Sequence, residues 1–244
     1  VASVLNVSAY LFTPIDEPAA LRDRLQSDAD AAGVKGTIIV AGEGVNVFLA
    51  GAEDAVRGLL AQMTADPRLA GLRAKESWSE EQPFGRMRVR VKREIIRMDR
   101  PEVSPADRRA PAVDPVTLRT WLDRGTDDAG REVVMLDTRN AFEVDYGAFR
   151  DALDWRIERF TQFPDAAATA LADLSGKTVV SYCTGGIRCE KAALHLRDLG
   201  VEAYQLDGGI LGWFEKVGGE HWDGDCFVFD GREAVSPDLS PRRR

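Results

Sequence analysis

The chain predicts an α/β protein in two parts, and three observations carry that reading. The first hundred residues alternate strand and helix signals in the order β-α-β-β-α-β, the order of a ferredoxin-like α+β domain. Residues 114–223 alternate short apolar strands with helical stretches, the pattern of a parallel sheet flanked by helices. Between them, prolines at 101, 105 and 111 in a charged stretch predict a linker over 101–113. With 244 residues, 44% of them hydrophobic, the chain can fill two cores.

The elements follow in order. Val4 to Phe12 is β-prone, and Pro18 to Ala32 reads as a helix ended by Gly33. Lys35 to Ala41 and Val45 to Ala50 read as strands joined by the Gly42-Glu43-Gly44 turn. Ala52 to Ala65 reads as a second helix and Leu72 to Ser77 as a further strand. Met87 to Lys92 alternates strictly, so Met87, Val89 and Val91 are expected to face a core while Arg86, Arg88, Arg90 and Lys92 face outward together. In the second part, Asp114-Pro115 is an N-cap with proline at the first helical position of a helix running to Arg124. Val133 to Leu136, Thr178 to Tyr182 and Val201 to Leu206 read as strands, and Arg188 to Leu199 as a helix stopped by Gly200. Residues 224–244 read as a C-terminal tail, polar and loose from Ser236 onward.

Composition narrows the class. No apolar run approaches the length of a membrane span, and the start lacks the features of a signal peptide. Three cysteines do not make a disulfide framework, so a cytoplasmic protein is expected. The net charge of −8 argues against indiscriminate nucleic-acid binding. Charge is uneven, however. From Arg86 to Arg109 nine basic residues face four acidic ones, a local +5 that leaves −13 elsewhere. Such a segment is either a solvated strand face and linker or the contact for a specific polyanion.

The most informative stretch is Lys177-Thr-Val-Val-Ser-Tyr-Cys183-Thr-Gly-Gly-Ile-Arg188-Cys189-Glu-Lys. It reads as a strand, a cysteine, a glycine-rich loop and a helix. Cys183 is thus expected at the C-terminal end of a strand, where α/β folds place their sites. There the N–H groups of Thr184, Gly185, Gly186, Ile187 and Arg188 can converge on one sulfur and lower its pKa. A merely buried cysteine is the bland alternative. The loop also suits a persulfide carried on Cys183. A cysteine-phosphatase loop fits less well: its arginine stands six positions after the cysteine, where this chain has Cys189.

These residues resemble a known family. Leu136-Asp137-Thr138-Arg139, Phe142-Glu143, Gly147, the cysteine loop and Leu206-Asp207-Gly208-Gly209-Ile210 with Trp213 resemble a rhodanese domain. Tyr182-Cys-Thr-Gly-Gly-Ile-Arg-Cys-Glu-Lys191, with Ala41-Gly-Glu-Gly-Val-Asn46 and Phe227-Val-Phe-Asp-Gly-Arg232, is similar to the rhodanese-containing tRNA uridine hydroxylases. The resemblance implies oxygen-dependent conversion of the wobble uridine of tRNA, position 34, to 5-hydroxyuridine, with Cys183 as the reactive cysteine. It implies tRNA as partner, rather than DNA or membrane, and molecular oxygen as co-substrate, with no resident cofactor identified. Two departures stand out. Ala148 replaces a histidine many rhodaneses carry there, and the cysteine-rich tail of longer members is missing, so a metal bound there is expected to be dispensable or absent.

The remaining candidates divide between site and support. Asp137 and Arg139 are expected beside the cysteine loop as a contact or a brace, and Glu143 likewise. Cys189 is either a resolving thiol or a packed residue, and Cys226 belongs to a core. Tyr182, Trp213 and Phe214 are candidates for stacking on a flipped base, with Trp213 favoured for a pocket. His195 and His221 stand too far apart in sequence for a metal set, and no dinucleotide-binding glycine run is present. For tRNA phosphates the candidates are Arg86, Arg88, Arg90, Lys92, Arg93 and Arg97. Glu43 and Asn46 shape the turn or touch RNA. The rival functions are a thiosulfate-type sulfurtransferase and a binding module whose cysteine senses oxidants.

Overall fold

A computed structural model describes residues 3–242. The chain divides into two compact units, residues 1–97 with 229–233, and residues 98–228 with 234–244.

The first unit holds β1 (Val4–Phe12), α1 (Pro18–Ala31), β2 (Lys35–Ala41), β3 (Gly44–Gly51), α2 (Glu53–Ala65), β4 (Arg73–Ser79) and β5 (Met87–Val91). Its sheet runs β4-β1-β3-β2-β5. The first four strands pair antiparallel, and β5 adds to β2 in parallel at the edge. Leu5, Val7 and Ala9 alternate inward and meet Ile38, Val40, Val45, Val47 and Leu49. Leu21 and Leu25 of α1 and Val56, Leu59 and Met63 of α2 seal this face. Gly44, at φ +145°, approaches β1 so closely that a Cβ would lie 2.0 Å from the Leu11 carbonyl. Glycine is therefore required where the hairpin returns. The expected alternation of β5 holds at Val89 but not at Val91, which is 43% exposed, because the strand has no neighbour beyond it.

The second unit holds β6 (Ala112–Val113), α3 (Pro115–Arg124), β7 (Val133–Asp137), α4 (Ala141–Val144), β8 (Gly147–Phe149), β9 (Leu153–Asp154), α5 (Phe163–Ala170), β10 (Thr178–Tyr182), α6 (Ile187–Asp198), β11 (Glu202–Leu206) and α7 (Gly209–Lys216). Short strands β12 (Trp222–Gly224), β13 (Cys226–Phe227), β14 (Ala234–Val235) and β15 (Pro241–Arg242) complete it. The main sheet is parallel in the order β6-β11-β10-β7-β9, with β10 fully buried at its centre. Asp114 caps α3 by accepting hydrogen bonds from the Val116 and Thr117 N–H groups. No helix of the described residues is long and apolar enough to cross a membrane.

Two expectations need correction. The 101–113 stretch is packed rather than a free linker. Val103 and Ala110 are buried, Ala112–Val113 pairs with β11, and Arg108 and Arg109 form ion pairs with Asp198 and Glu190. The 224–244 stretch is not a loose tail either. Strand β14 pairs with both β13 and β15, Cys226, Val228 and Val235 join the second core, and Ser236 is buried. Residues 243–244 lie outside the described residues. Between these strands, the Arg232 guanidinium grips Asp230 and donates to Ser77 Oγ at 2.6 Å, while the Gly231 N–H reaches the Pro83 carbonyl. Polar stretches of this kind fold because a neighbouring strand satisfies their backbone, which no local periodicity announces.

Candidate active site

Strand β10 delivers Cys183 to the C-terminal edge of the parallel sheet, and α6 starts four residues later. The connection is tight. Gly186 takes φ 105°, and its N–H donates to Cys183 Sγ at 3.2 Å. The carbonyls of the turn are held away from the sulfur by α7: the Ile210 N–H donates to the Cys183 carbonyl at 2.9 Å, and the Leu211 N–H to the Thr184 carbonyl at 3.1 Å. Gly209 makes this possible. A Cβ there would lie 2.4 Å from the Cys183 carbonyl and 2.7 Å from the Gly186 nitrogen. One helix therefore holds the Cys183 and Thr184 carbonyls, while the Gly186 N–H turns to the sulfur.

The sulfur's electrostatics follow. Burial pushes the Cys183 thiol up, but several groups overcome it. They are the Cys189 thiol, the charge of Arg188 and the N–H groups of Cys189 and Arg188 at the start of α6, and together they bring it down to about 5. Cys189 moves the opposite way, well above the usual thiol value, through burial and the neighbouring Cys183 sulfur. Its one proton has two acceptors in reach, the Gly186 carbonyl at 2.9 Å and the Cys183 sulfur. At neutral pH the pair is thus a thiolate at 183 beside a thiol at 189.

A chain of buried ion pairs fixes this arrangement. Arg188 forks onto Glu143, with N–O distances of 2.6 and 2.7 Å. Glu143 also accepts from the Asn140 N–H at 3.1 Å. Arg139 forks onto Asp137, closing at 2.6 Å, and donates to the carbonyls of Glu143 and Gly147. Its guanidinium lies over the rings of Tyr182 and Trp222. Charged forks of this type are the form in which ions tolerate burial. Asp137 and Arg139 therefore act as a brace that sets α4, and α4 presents Glu143 to Arg188.

Most of the site residues named from sequence come together here. Cys183, Thr184, Gly185, Gly186, Ile187, Arg188 and Cys189 form the loop, with Asp137, Arg139 and Glu143 behind it. Trp213 does not join them as a pocket wall. It is fully buried in the second core, its ring 4.9 Å from that of Phe149 and its Nε1 donating to the Glu220 carbonyl at 3.0 Å. Tyr182 and Phe214 are core residues too. Their apolar bodies follow the inward stripe of their own elements, and the Gly208-Gly209 turn aims α7's backbone at the loop instead. Sequence reasoning missed an aromatic group at the loop's margin. Phe142 is 47% exposed, and Phe227 packs its ring 5.2 Å from those of Phe142 and Tyr146. The Phe227 carbonyl accepts from Thr184 Oγ1 at 3.4 Å, which ties β13 to the cysteine loop. The phenylalanine beside Glu143 was the available signal.

Arg86, Arg88, Arg90, Lys92, Arg93 and Arg97 are all exposed on the first unit. Asn46 is buried and donates to the Ile95 carbonyl, and Glu43 accepts from the Ile95 N–H, so both shape the turn region. His221 pairs with Asp123, and His195 is partly buried. Among the described residues no cluster of three His, Cys, Asp or Glu side chains is placed to hold a metal.

Comparison with known proteins adds the family. Residues 4–95 match the UPF0176 acylphosphatase-like domain, and residues 118–216 match the rhodanese-like domain. Proteins named tRNA uridine(34) hydroxylase align with the chain almost end to end. That of Variovorax paradoxus is 59% identical over 98% of this chain and 91% of its own length. That of Bordetella avium is 58% identical over 98% and 99%, and that of Delftia acidovorans 59% over 98% and 91%. The chain belongs to the tRNA uridine(34) hydroxylase family. In this member of the hydroxylase family the cysteine loop, the Glu143–Arg188 fork and the Asp137–Arg139 brace lie within or beside the rhodanese-like match, and the basic strand lies in the acylphosphatase-like one.

Proposed function

We propose that this protein is an enzyme that hydroxylates uridine 34 of tRNA at C5, with Cys183 as its nucleophile. The observation that carries the chemistry is the Cys183 sulfur at the end of β10, which accepts the Gly186 N–H and whose thiol is brought down by Cys189 and the charge of Arg188. C5 of uracil is a poor nucleophile. Addition of the Cys183 thiolate to C6 forms an S–C6 bond and moves an electron pair toward the C4 carbonyl, which makes C5 enolate-like. C5 then takes an oxygen atom from an electrophilic donor, the C5 proton leaves, and cleavage of the S–C6 bond returns the thiolate. The net change is a two-electron oxidation of a C–H bond to C–OH. With molecular oxygen as the source, two electrons and two protons from a reductant carry the second oxygen atom away as water.

A second scheme has an oxidised Cys183 deliver the oxygen, with Cys189 resolving it. The hydrogen bond from the Cys189 thiol to the Cys183 sulfur supports this scheme. The exposed cations from Arg86 to Lys92, with Arg93 and Arg97, are proposed to meet the tRNA phosphates, and the setting is the cytoplasm.

Cys183→Ser is expected to abolish 5-hydroxyuridine in tRNA nucleosides from a deletion strain complemented with the variant; retained product removes both schemes. If the wild-type protein instead transfers sulfur from thiosulfate to cyanide and leaves tRNA uridine untouched, the loop is a persulfide cradle. Cys189→Ala separates the schemes. Under addition to C6, Cys183 still reacts once pH is raised above its shifted pKa; under the oxidised-cysteine scheme, higher pH does not restore turnover.

A further inference from the structure

The helix-free face of the first sheet carries a pattern that the cysteine chemistry does not use. Residues of β1 to β5 that alternate away from the core fall into register across all five strands. One row reads Lys75, Ser8, Phe48, Thr37, Arg88, and the next reads Arg73, Tyr10, Asn46, Ile39, Arg90. Each row ends in a cation at both margins and holds one aromatic ring in its interior. Tyr10 and Phe48 are diagonal neighbours on adjacent strands, and both remain partly exposed. Arg73, Arg88 and Arg90 are exposed. Asn46 bonds to Ile95 and Ser77 to Arg232, so chain segments anchor on either side of the Phe48 row.

We propose that this face is a binding platform for an unpaired RNA strand, the anticodon loop of the tRNA substrate, and this rests on the hydroxylase reading above. Bases would stack on Tyr10 and Phe48, while the phosphate chain is gripped at the two margins, about 19 Å apart across four strand spacings. Three features favour this occupant. The cations stand on both edges of an otherwise acidic protein, which suits a polyanion that crosses the strands. Aromatic rings on an open sheet offer π-faces that single-stranded bases use and that stacked duplex bases cannot reach. Around the rings stand the polar Ser8 and Thr37 and one partly exposed aliphatic residue, Ile39. A protein partner would call for a broader apolar core than two rings and one aliphatic side chain.

Hairpin RNA carrying the anticodon loop, and blunt duplex RNA of equal length, serve as probes for the full chain. Tyr10→Leu with Phe48→Leu keeps the apolar area and removes the π-faces. It is expected to weaken hairpin binding about tenfold or more, leave duplex binding unchanged, and raise KM for hydroxylation with kcat retained. Tyr10→Phe with Phe48→Tyr is expected to restore wild-type affinity. Arg73→Gln with Arg90→Gln is expected to weaken binding and lower the salt slope by roughly 0.7 per lost phosphate contact. Leucine and glutamine variants that bind the hairpin as the wild type does overturn the platform. Wild-type protein that hydroxylates while all these variants match it leaves the enzyme reading intact and removes only this face. Wild-type protein that binds the hairpin through the rings without hydroxylating it keeps the face and removes the reaction.

Discussion

Cys183 owes its charge to its neighbours rather than to water. Burial opposes ionisation, yet one thiol, one guanidinium and three backbone N–H groups outweigh it. The thiolate's ultraviolet absorbance is therefore expected to titrate with a midpoint near pH 5 and to vanish in Cys183→Ser. Arg188→Met is expected to move the midpoint upward by removing the charge. The sign for stability follows from the same shift. The folded-state value lies below the free thiol's 9.0, so the thiolate's contribution is complete above pH 9 and is lost as pH falls toward 5. Urea unfolding across that window should show wild-type stability rising with pH relative to Cys183→Ser; parallel curves would mean that the sulfur stays protonated. Arg188 also neutralises buried Glu143, so Arg188→Met is expected to cost about 3–5 kcal/mol by leaving that carboxylate unpaired. Glu143→Gln combined with Arg188→Met is expected to recover part of this, since no lone buried ion remains.

Among elements, α7 decides the loop although it contributes no side chain to the sulfur. Its first N–H groups hold the Cys183 and Thr184 carbonyls, and Gly209 lets the backbones approach. Gly209→Ala is expected to break this contact, raise the Cys183 midpoint and abolish hydroxylation while the circular-dichroism spectrum stays native. An active Gly209→Ala enzyme would show that the loop does not need α7. Trp213 belongs to the same helix but to its core-facing side. Trp213→Ala is expected to cost about 3–5 kcal/mol of stability. Trp213→Phe is expected to keep hydroxylation, which a base-stacking role for the indole would forbid.

At the scale of the whole chain, chemistry and RNA contact are proposed for different units. Reversing Arg88 and Arg90 to glutamate is expected to weaken tRNA binding and flatten its salt dependence, with the Cys183 titration unchanged. Unchanged binding would move the RNA contact off β5. Much of this plan was legible in the sequence. Strand β1 runs Val4–Phe12 as expected, β10 spans Thr178–Tyr182, and α3 starts at its Asp114 cap. These elements declare themselves because alternation, capping and helix stops are local. The two-residue strands β6, β9, β13, β14 and β15 carry no such period, and their backbone groups are satisfied by a partner strand. The same limit hid the packed 101–113 stretch and turned Trp213 from a pocket candidate into core.

The sequence by itself determined where Cys183 stands, the strand–loop–helix that presents it, the alternating basic strand and the order of the two domains, since each is written in neighbouring residues. Tertiary structure alone decided which amides meet the sulfur, that Arg188 is claimed by Glu143 while Arg139 braces Asp137, and that cations from β4 and β5 flank Tyr10 and Phe48 on one face. Those pairings join residues tens of positions apart, and only the packed chain brings their charges and rings within reach.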